Sequence, residues 1–218
     1  MKIIVGNWKM NGNLDAATVM SRALSKVKTQ NRVVICPPFT LLDKFNGINI
    51  GGQDCSAKIS GAFTGEVSAA MLAEAGAKFV ILGHSERRTM HNESSELVRA
   101  KCAAAASCGL TPIICVDESY SDQIPKSIPA GGAFIVAFEP VSAIGTGTTP
   151  SMEEIARAHS EIQGILEKLG HGLTPILYGG SVKGANANEI MSLKFVDGVL
   201  VGGASLRPDD FIPIINAI

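Results

Sequence analysis

Phe134-Ile135-Val136-Ala137-Phe138-Glu139 is an unbroken apolar run closed by a carboxylate and followed by Pro140. A strand with one face in water alternates apolar with polar residues. A short continuous run is the pattern of a strand buried on both faces. The same pattern recurs along the chain at Ile3-Ile4-Val5, Val33-Val34-Ile35, Ile48-Asn49-Ile50, Phe79 to Leu82, Ile113 to Val116, Pro175-Ile176-Leu177 and Val199-Leu200-Val201. Helical spacing fills the intervals. Leu14, Ala17, Met20, Leu24 and Val27 form one stripe, and Leu97, Ala100, Ala104 and Ala105 a second, stopped by Gly109. A third stripe is Ile155, Ala158, Ile162, Ile165, Leu166 and Leu169, ended by Gly170. Its expected start is Thr149 as N-cap with Pro150 at the first helical position and Glu153 and Glu154 in the first turn.

Eight buried strands interleaved with helices predict an α/β chain in which residues 1–218 make one (β/α)8 barrel. The rival is a doubly wound open sheet, which more often carries G-x-G-x-x-G after its first strand. Here that turn reads Gly6-Asn7-Trp8-Lys9-Met10-Asn11-Gly12. The composition agrees with a packed core, at 46% apolar, and excludes disorder. Nineteen basic against 20 acidic residues leave no basic excess for a nucleic acid or an anionic membrane surface. No apolar stretch approaches the roughly 18 residues of a membrane helix. Five cysteines, Cys36, Cys55, Cys102, Cys108 and Cys115, form no C-x-x-C pair. They read as reduced thiols of a cytoplasmic protein, with no disulfide and no zinc.

In a barrel the C-terminal ends of all strands meet at one face. Asn7 and Lys9 follow the first run, His84 the fourth, Glu139 the sixth, Gly179-Gly180-Ser181 the seventh and Gly202-Gly203 the eighth. Residues far apart in sequence are thereby expected around one pocket. Either Gly-Gly alone reads as a tight turn. Two pairs after strands seven and eight read as a phosphate cradle, because glycine lets backbone N–H groups approach an anion. Lys9 alone could be a solvated surface lysine, and His84 alone a capping histidine. At a helix start, His84 also suits a neutral imidazole that donates a hydrogen bond. Glu139 leaves a buried strand, which suits a general base, although a buried ion pair would use the same residue. Residues 140–147, with Pro140 at one end and Gly145 and Gly147 at the other, exceed the roughly 2–6 residues of a usual βα loop and read as a lid.

Seven segments in this order resemble the triosephosphate isomerase family. They are residues 6–11, Gly61 to Glu66, Leu82 to Arg88, Ala137 to Val141, Ala143 to Gly147, Tyr178 to Val182 and Gly202 to Leu206. The resemblance implies a TIM barrel that interconverts dihydroxyacetone phosphate and D-glyceraldehyde 3-phosphate through an enediol(ate), with no metal or nucleotide. It implies that Glu139 moves the proton, His84 is the neutral electrophile, Lys9 supplies positive charge and Asn7 orients substrate. Glu86 is similar to the family's glutamate beside that lysine. Gly145, Ser181, Gly202 and Gly203 match its phosphate-binding backbone. The family also implies a homodimer through residues 54–68, with Thr64 at the interface.

The chain departs from the family at Ser142, where Trp is usual, at Phe138 for Tyr, and at Asp117 for Gly. Gln163 replaces an Arg, which is expected to leave Asp197 without its usual partner. Between Cys115 and Glu139 the family carries roughly 15 residues more. Residues 116–132 hold Pro125, Pro129, Gly131 and Gly132 and lack an apolar stripe, so the fifth helix is expected to be shortened or missing. Thin cover over strands five and six would follow. These departures support a second reading, a catalytically weakened barrel that binds phosphorylated ligands or partners. A third, a barrel isomerase of another sugar phosphate, is opposed by the complete motif set.

Overall fold

The outermost strand pair of an open sheet would leave unpaired edges; the described strands of this chain leave none. The structure, a computed structural model, describes residues 1–140 and 150–218. Its strands are β1 (Ile3–Asn7), β2 (Arg32–Cys36), β3 (Asn49–Gly52), β4 (Phe79–Leu82), β5 (Thr111–Val116), β6 (Ile135–Phe138), β7 (Ile176–Tyr178) and β8 (Gly198–Val201). Each pairs in parallel with the next, and β8 returns to β1, closing the barrel. Closure explains the continuous apolar runs. Along β5, Ile113 and Cys115 point into the barrel, while Ile114 and Val116 point out against helices, and all are buried. No helix among the described residues is long and apolar enough to cross a membrane. All five cysteines are free, and burial pushes the Cys55 and Cys102 thiols up to about 12.

The helices are α1 (Leu14–Leu24), α2 (Ala69–Glu74), α3 (Ser85–Met90), α4 (Ser95–Ser107), α5 (Tyr120–Ser127), α6 (Met152–Lys168), α7 (Gly184–Ser192) and α8 (Pro208–Ile215). Between β2 and β3 a 3-10 segment, Phe39–Lys44, takes the helix position. Three sequence expectations need correction. The cap of α6 is Ser151, not Thr149: its hydroxyl accepts from the Glu154 N–H while the Glu154 carboxylate accepts from the Ser151 N–H, a reciprocal box that fixes the start. The buried face of α4 is Val98, Lys101, Cys102 and Ala105, and Leu97 lies 39% exposed.

The third correction concerns β5 and β6. Helix α5 is present in shortened form, about two turns with Pro125 inside. Its cover is complete: Ile124 and Ile128 are buried, as are the outward residues Ile114, Val116, Val136 and Phe138. Arg99 of α4 donates to the Lys126 and Pro125 carbonyls, and Tyr120 donates to Glu161 of α6. The Gln123 side chain accepts from the Asp117 N–H at 2.9 Å. Side-chain ties on both flanks hold a helix too short to stand by propensity alone.

Candidate active site

The five positions expected at one face do meet there. Asn7 ends β1, His84 lies just past β4, Glu139 follows β6, Gly179 follows β7 and Gly202 follows β8. Asn7, Lys9, His84, Glu139, Ser181, Gly202 and Gly203 line one cavity of about 350 Å³. Glu86 lines an adjoining cavity of about 260 Å³ that also touches Lys9 and His84. Gly145, Ser142 and the lid segment from residue 141 onward lie outside the described residues.

Lys9 holds a left-handed backbone, φ +52°. A lysine there is strained and persists only when its surroundings fix it. The Asn7 side chain accepts from the Lys9 N–H at 3.0 Å, and the Gln53 amide donates to the Lys9 carbonyl at 2.8 Å and to Cys36 O at 2.9 Å. The Lys9 ammonium is thereby set 2.7 Å from Glu86 Oε1.

His84 is the N-cap of α3, and its Nδ1 accepts the Glu86 backbone N–H at 3.2 Å. With Nδ1 occupied as an acceptor, Nε2 is the ring nitrogen left to donate. That Nε2 lies 3.1 Å from Glu139 Oε1, while Glu139 Oε2 accepts the Ser85 N–H at 3.0 Å. Both His84 and Glu139 are buried. The carboxylate rests against two donors, at the point where a ligand's carbonyl oxygen could take its place on His84.

The glycine pair after β7 is required by space. A Cβ on Gly179 would fall 2.9 Å from Glu139 Cγ, and one on Gly180 would fall 2.1 Å from the Tyr178 hydroxyl oxygen. After β8, the 3-10 turn Gly203–Ser205 is closed by the Ser205 hydroxyl donating to Gly202 O at 2.7 Å, and Trp8 Nε1 donates to Ser205 O at 2.9 Å. The buried indole of β1's loop therefore sets the height of the β8 turn. No group of three His, Cys, Asp or Glu side chains among the described residues is placed to hold a metal ion.

Sequence reasoning missed Gln53, the Ser85 amide and Lys183, which also lines the 350 Å³ cavity. Ser85 lies inside the segment Leu82 to Arg88 and Lys183 just past Tyr178 to Val182; Gln53 follows the Gly-Gly that ends β3, a signal left unread. Asp197 Oδ2 accepts the Ile176 N–H at 2.9 Å, which ties the carboxylate to the start of β7. Gln163 turns instead to Glu167 and to Gly172 O.

The family model described as triosephosphate isomerase matches residues 2–218. The triosephosphate isomerase of Caulobacter vibrioides is 47% identical, with 99% of this chain and 96% of that protein covered. That of Alkalilimnicola ehrlichii is 45% identical, covering 99% and 97%. A crystal structure of triosephosphate isomerase from Bartonella henselae superposes with a TM-score of 0.89 at 37% identity, covering 99% of this chain and 98% of that one. The first alignment runs over 244 positions against 218 residues here, so the relative carries at least 26 residues without a counterpart. The short α5 and the 3-10 segment after β2 are consistent with such a trimmed barrel. On a match over the whole chain and a shared closed barrel, the chain belongs to the triosephosphate isomerase family.

Proposed function

We propose that the chain interconverts dihydroxyacetone phosphate and D-glyceraldehyde 3-phosphate through an enediol(ate). The observation that carries the reading is the meeting of Glu139, His84 and Lys9 on one cavity wall. Glu139 removes a proton from the carbon beside the carbonyl and returns it to the neighbouring carbon. His84 Nε2–H donates to the carbonyl oxygen as it gains charge, and Lys9 and Asn7 face the same developing oxyanion. The phosphate rests on the backbone of Ser181, Gly202 and Gly203, with Gly145 as the expected fourth contributor. Aldose and ketose are isomers, so the proton transfers balance without a redox partner, a nucleotide or a metal. Turnover is expected to persist in a chelator.

The reading extends to a homodimer through residues 54–68, in the cytoplasm, serving glycolysis and gluconeogenesis. What supports the dimer is exposed apolar surface in two places. The segment carries Ile59, 70% exposed, and Phe63, 43% exposed, near Thr64. The cavity beside Lys9 and Glu86 is rimmed by exposed Met10 and Met90.

A coupled assay that follows dihydroxyacetone phosphate formed from glyceraldehyde 3-phosphate tests the activity. Glu139→Gln should lower kcat by about 10³-fold with the fold intact, since general-base contributions run to about 10²–10⁴. A Gln variant with near-parental turnover would overturn the assignment of the base.

A further inference from the structure

Arg88 closes the segment Leu82 to Arg88 and has no part in the chemistry above. It is half-buried on α3, and its side chain turns back toward the end of β4. Nε donates to Gly83 O at 2.8 Å, Nη1 to Ser95 Oγ at 3.2 Å, and Nη2 to Cys115 O at 3.2 Å and to Ser127 Oγ at 3.4 Å. These partners are the residue before His84, the start of α4, a residue near the end of β5 and the buried last residue of α5. The planar fork of a guanidinium can bridge such a set of neutral oxygens. A lysine ammonium, a point charge on a flexible stem, cannot hold the same geometry.

The clamp falls on a soft joint of the cavity wall. Gly83 has φ +65°, a region that glycine enters freely, so no side-chain preference fixes the backbone that leads to His84. A Cβ on Gly83 would fall 2.8 Å from Arg88 Nη2 and 2.8 Å from Val98 Cγ2, so the guanidinium fills the room a side chain would need. The Gly83 carbonyl belongs to the peptide unit that carries the His84 N–H, and a planar peptide turns as one body. Holding that oxygen therefore holds the point from which His84 departs. Glu139 is tied to the same neighbouring strand, because its N–H donates to Val116 O at 2.8 Å. Arg88 thus fastens the His84 hinge to the strand end on which Glu139 rests, and His84 Nε2 meets Glu139 Oε1 at 3.1 Å.

We infer that Arg88 is a positioning residue: anchored by Ser95 and Ser127, it sets the Gly83 peptide and thereby the placement of the His84 ring relative to Glu139. The shortened α5 is then part of the support of the site, since Ser127 supplies one of the anchors. The inference rests on the role given to His84 in the proposed function.

The test measures kcat and KM for glyceraldehyde 3-phosphate in the parent, Arg88→Lys, Arg88→Met and Ser127→Ala, each well below its unfolding midpoint, and repeats every change in a His84→Gln background. Arg88→Lys and Arg88→Met should lower kcat by about 10–100-fold with KM within about twofold, because a misplacement near 1 Å costs about 10²-fold. Ser127→Ala, which removes one anchor, should lower kcat by about threefold. In the His84→Gln background the Arg88 changes should cost less than about threefold, since no ring is left to misplace; a merely structural role would cost the same factor in both backgrounds. If Arg88→Met fails to fold, Arg88→Lys and Ser127→Ala carry the comparison. Parental kcat in the Arg88 variants, a loss confined to KM, or an equal factor in the His84→Gln background would overturn the inference. A parent without isomerase turnover would refute the proposed function. The ring-proton resonances of His84, assigned by their loss in His84→Gln, would then still decide the role of Arg88: shifted in Arg88→Lys they support it, and unchanged they overturn it.

Discussion

At the Lys9 backbone, a positive φ is held by the side chains of Asn7 at the end of β1 and Gln53 just past β3, and this is how the barrel fixes a flexible lysine. Gln53 gives one amide group to two carbonyls, Lys9 O and Cys36 O. Gln53→Ala should lower stability by about 2 kcal/mol, at roughly 1 kcal/mol per hydrogen bond, and should reduce kcat/KM as the ammonium loses its position. Denaturant midpoints and steady-state kinetics on the same preparation would check both effects. Parental values of both would show that Asn7 alone suffices. Asn7, Lys9, His84 and Glu139 were legible in the sequence because each follows directly on a buried run, where a polar residue has one exit. The Ser85 amide was not, since it is a backbone group that no composition pattern marks; Gln53 was not, since its side chain acts on backbone carbonyls and only the Gly-Gly before it hints at its place.

Among the elements, α4 shows why a helix face can be misjudged. Ala100 and Ala103 to Ala106 give the stripe little amplitude, and a lysine is ordinarily assigned to solvent. Lys101 is nonetheless buried, 2.7 Å from Asp54 and 2.5 Å from Glu93, while Arg87 reaches the same two carboxylates at 2.8 and 2.7 Å. The carboxylates of Asp54, at the root of the 54–68 segment, and Glu93 turn the amphipathic face by one position. Lys101→Met should cost about 3–5 kcal/mol, because it leaves buried carboxylates short of a partner; a thermal unfolding series would measure it, and a change below 1 kcal/mol would contradict the account.

Helix α6 carries a second buried polar group. Burial pushes the His159 imidazole down from 6.5 to about 4, and Nδ1–H is held at 2.9 Å from the Phe195 carbonyl, whose residue sits at φ +63°. The native ring stays neutral while the unfolded chain takes up a proton below about pH 6.5. Stability is therefore full above that pH and falls as pH drops toward 4, by about 3 kcal/mol at 1.36 kcal/mol per unit. His159→Gln should flatten this slope whatever its own cost; an unchanged slope would assign the acid sensitivity elsewhere.

The whole molecule reads from its sequence more completely than its parts do. Eight both-faces-buried runs with interleaved helices permit few topologies other than a closed parallel barrel, and closure then brings distant residues to one mouth. The shortened fifth helix was legible from Pro125 and the missing stripe. Its full cover was not, because the ties from Arg99 and from Tyr120 to Glu161 join segments 26 and 41 residues apart. In hydrogen exchange, α5 is expected to label before α6, while β5 and β6, buried on both faces, stay protected with the other strands. Early labelling of β5 would contradict the described cover. Sedimentation at micromolar concentration should find a dimer, and Thr64→Glu should shift it toward monomer; an active parental monomer would count against the 54–68 interface. The central claim is that one carboxylate carries a proton between two carbons. Isomerisation in deuterium oxide, followed by proton resonance of the product, tests it most directly. The account predicts deuterium on the carbon that receives the proton in those turnovers where the proton held by Glu139 exchanges with solvent before its return, hydrogen in the rest, and loss of exchange and turnover together in Glu139→Gln. Exchange or turnover at the parental rate in Glu139→Gln would contradict it.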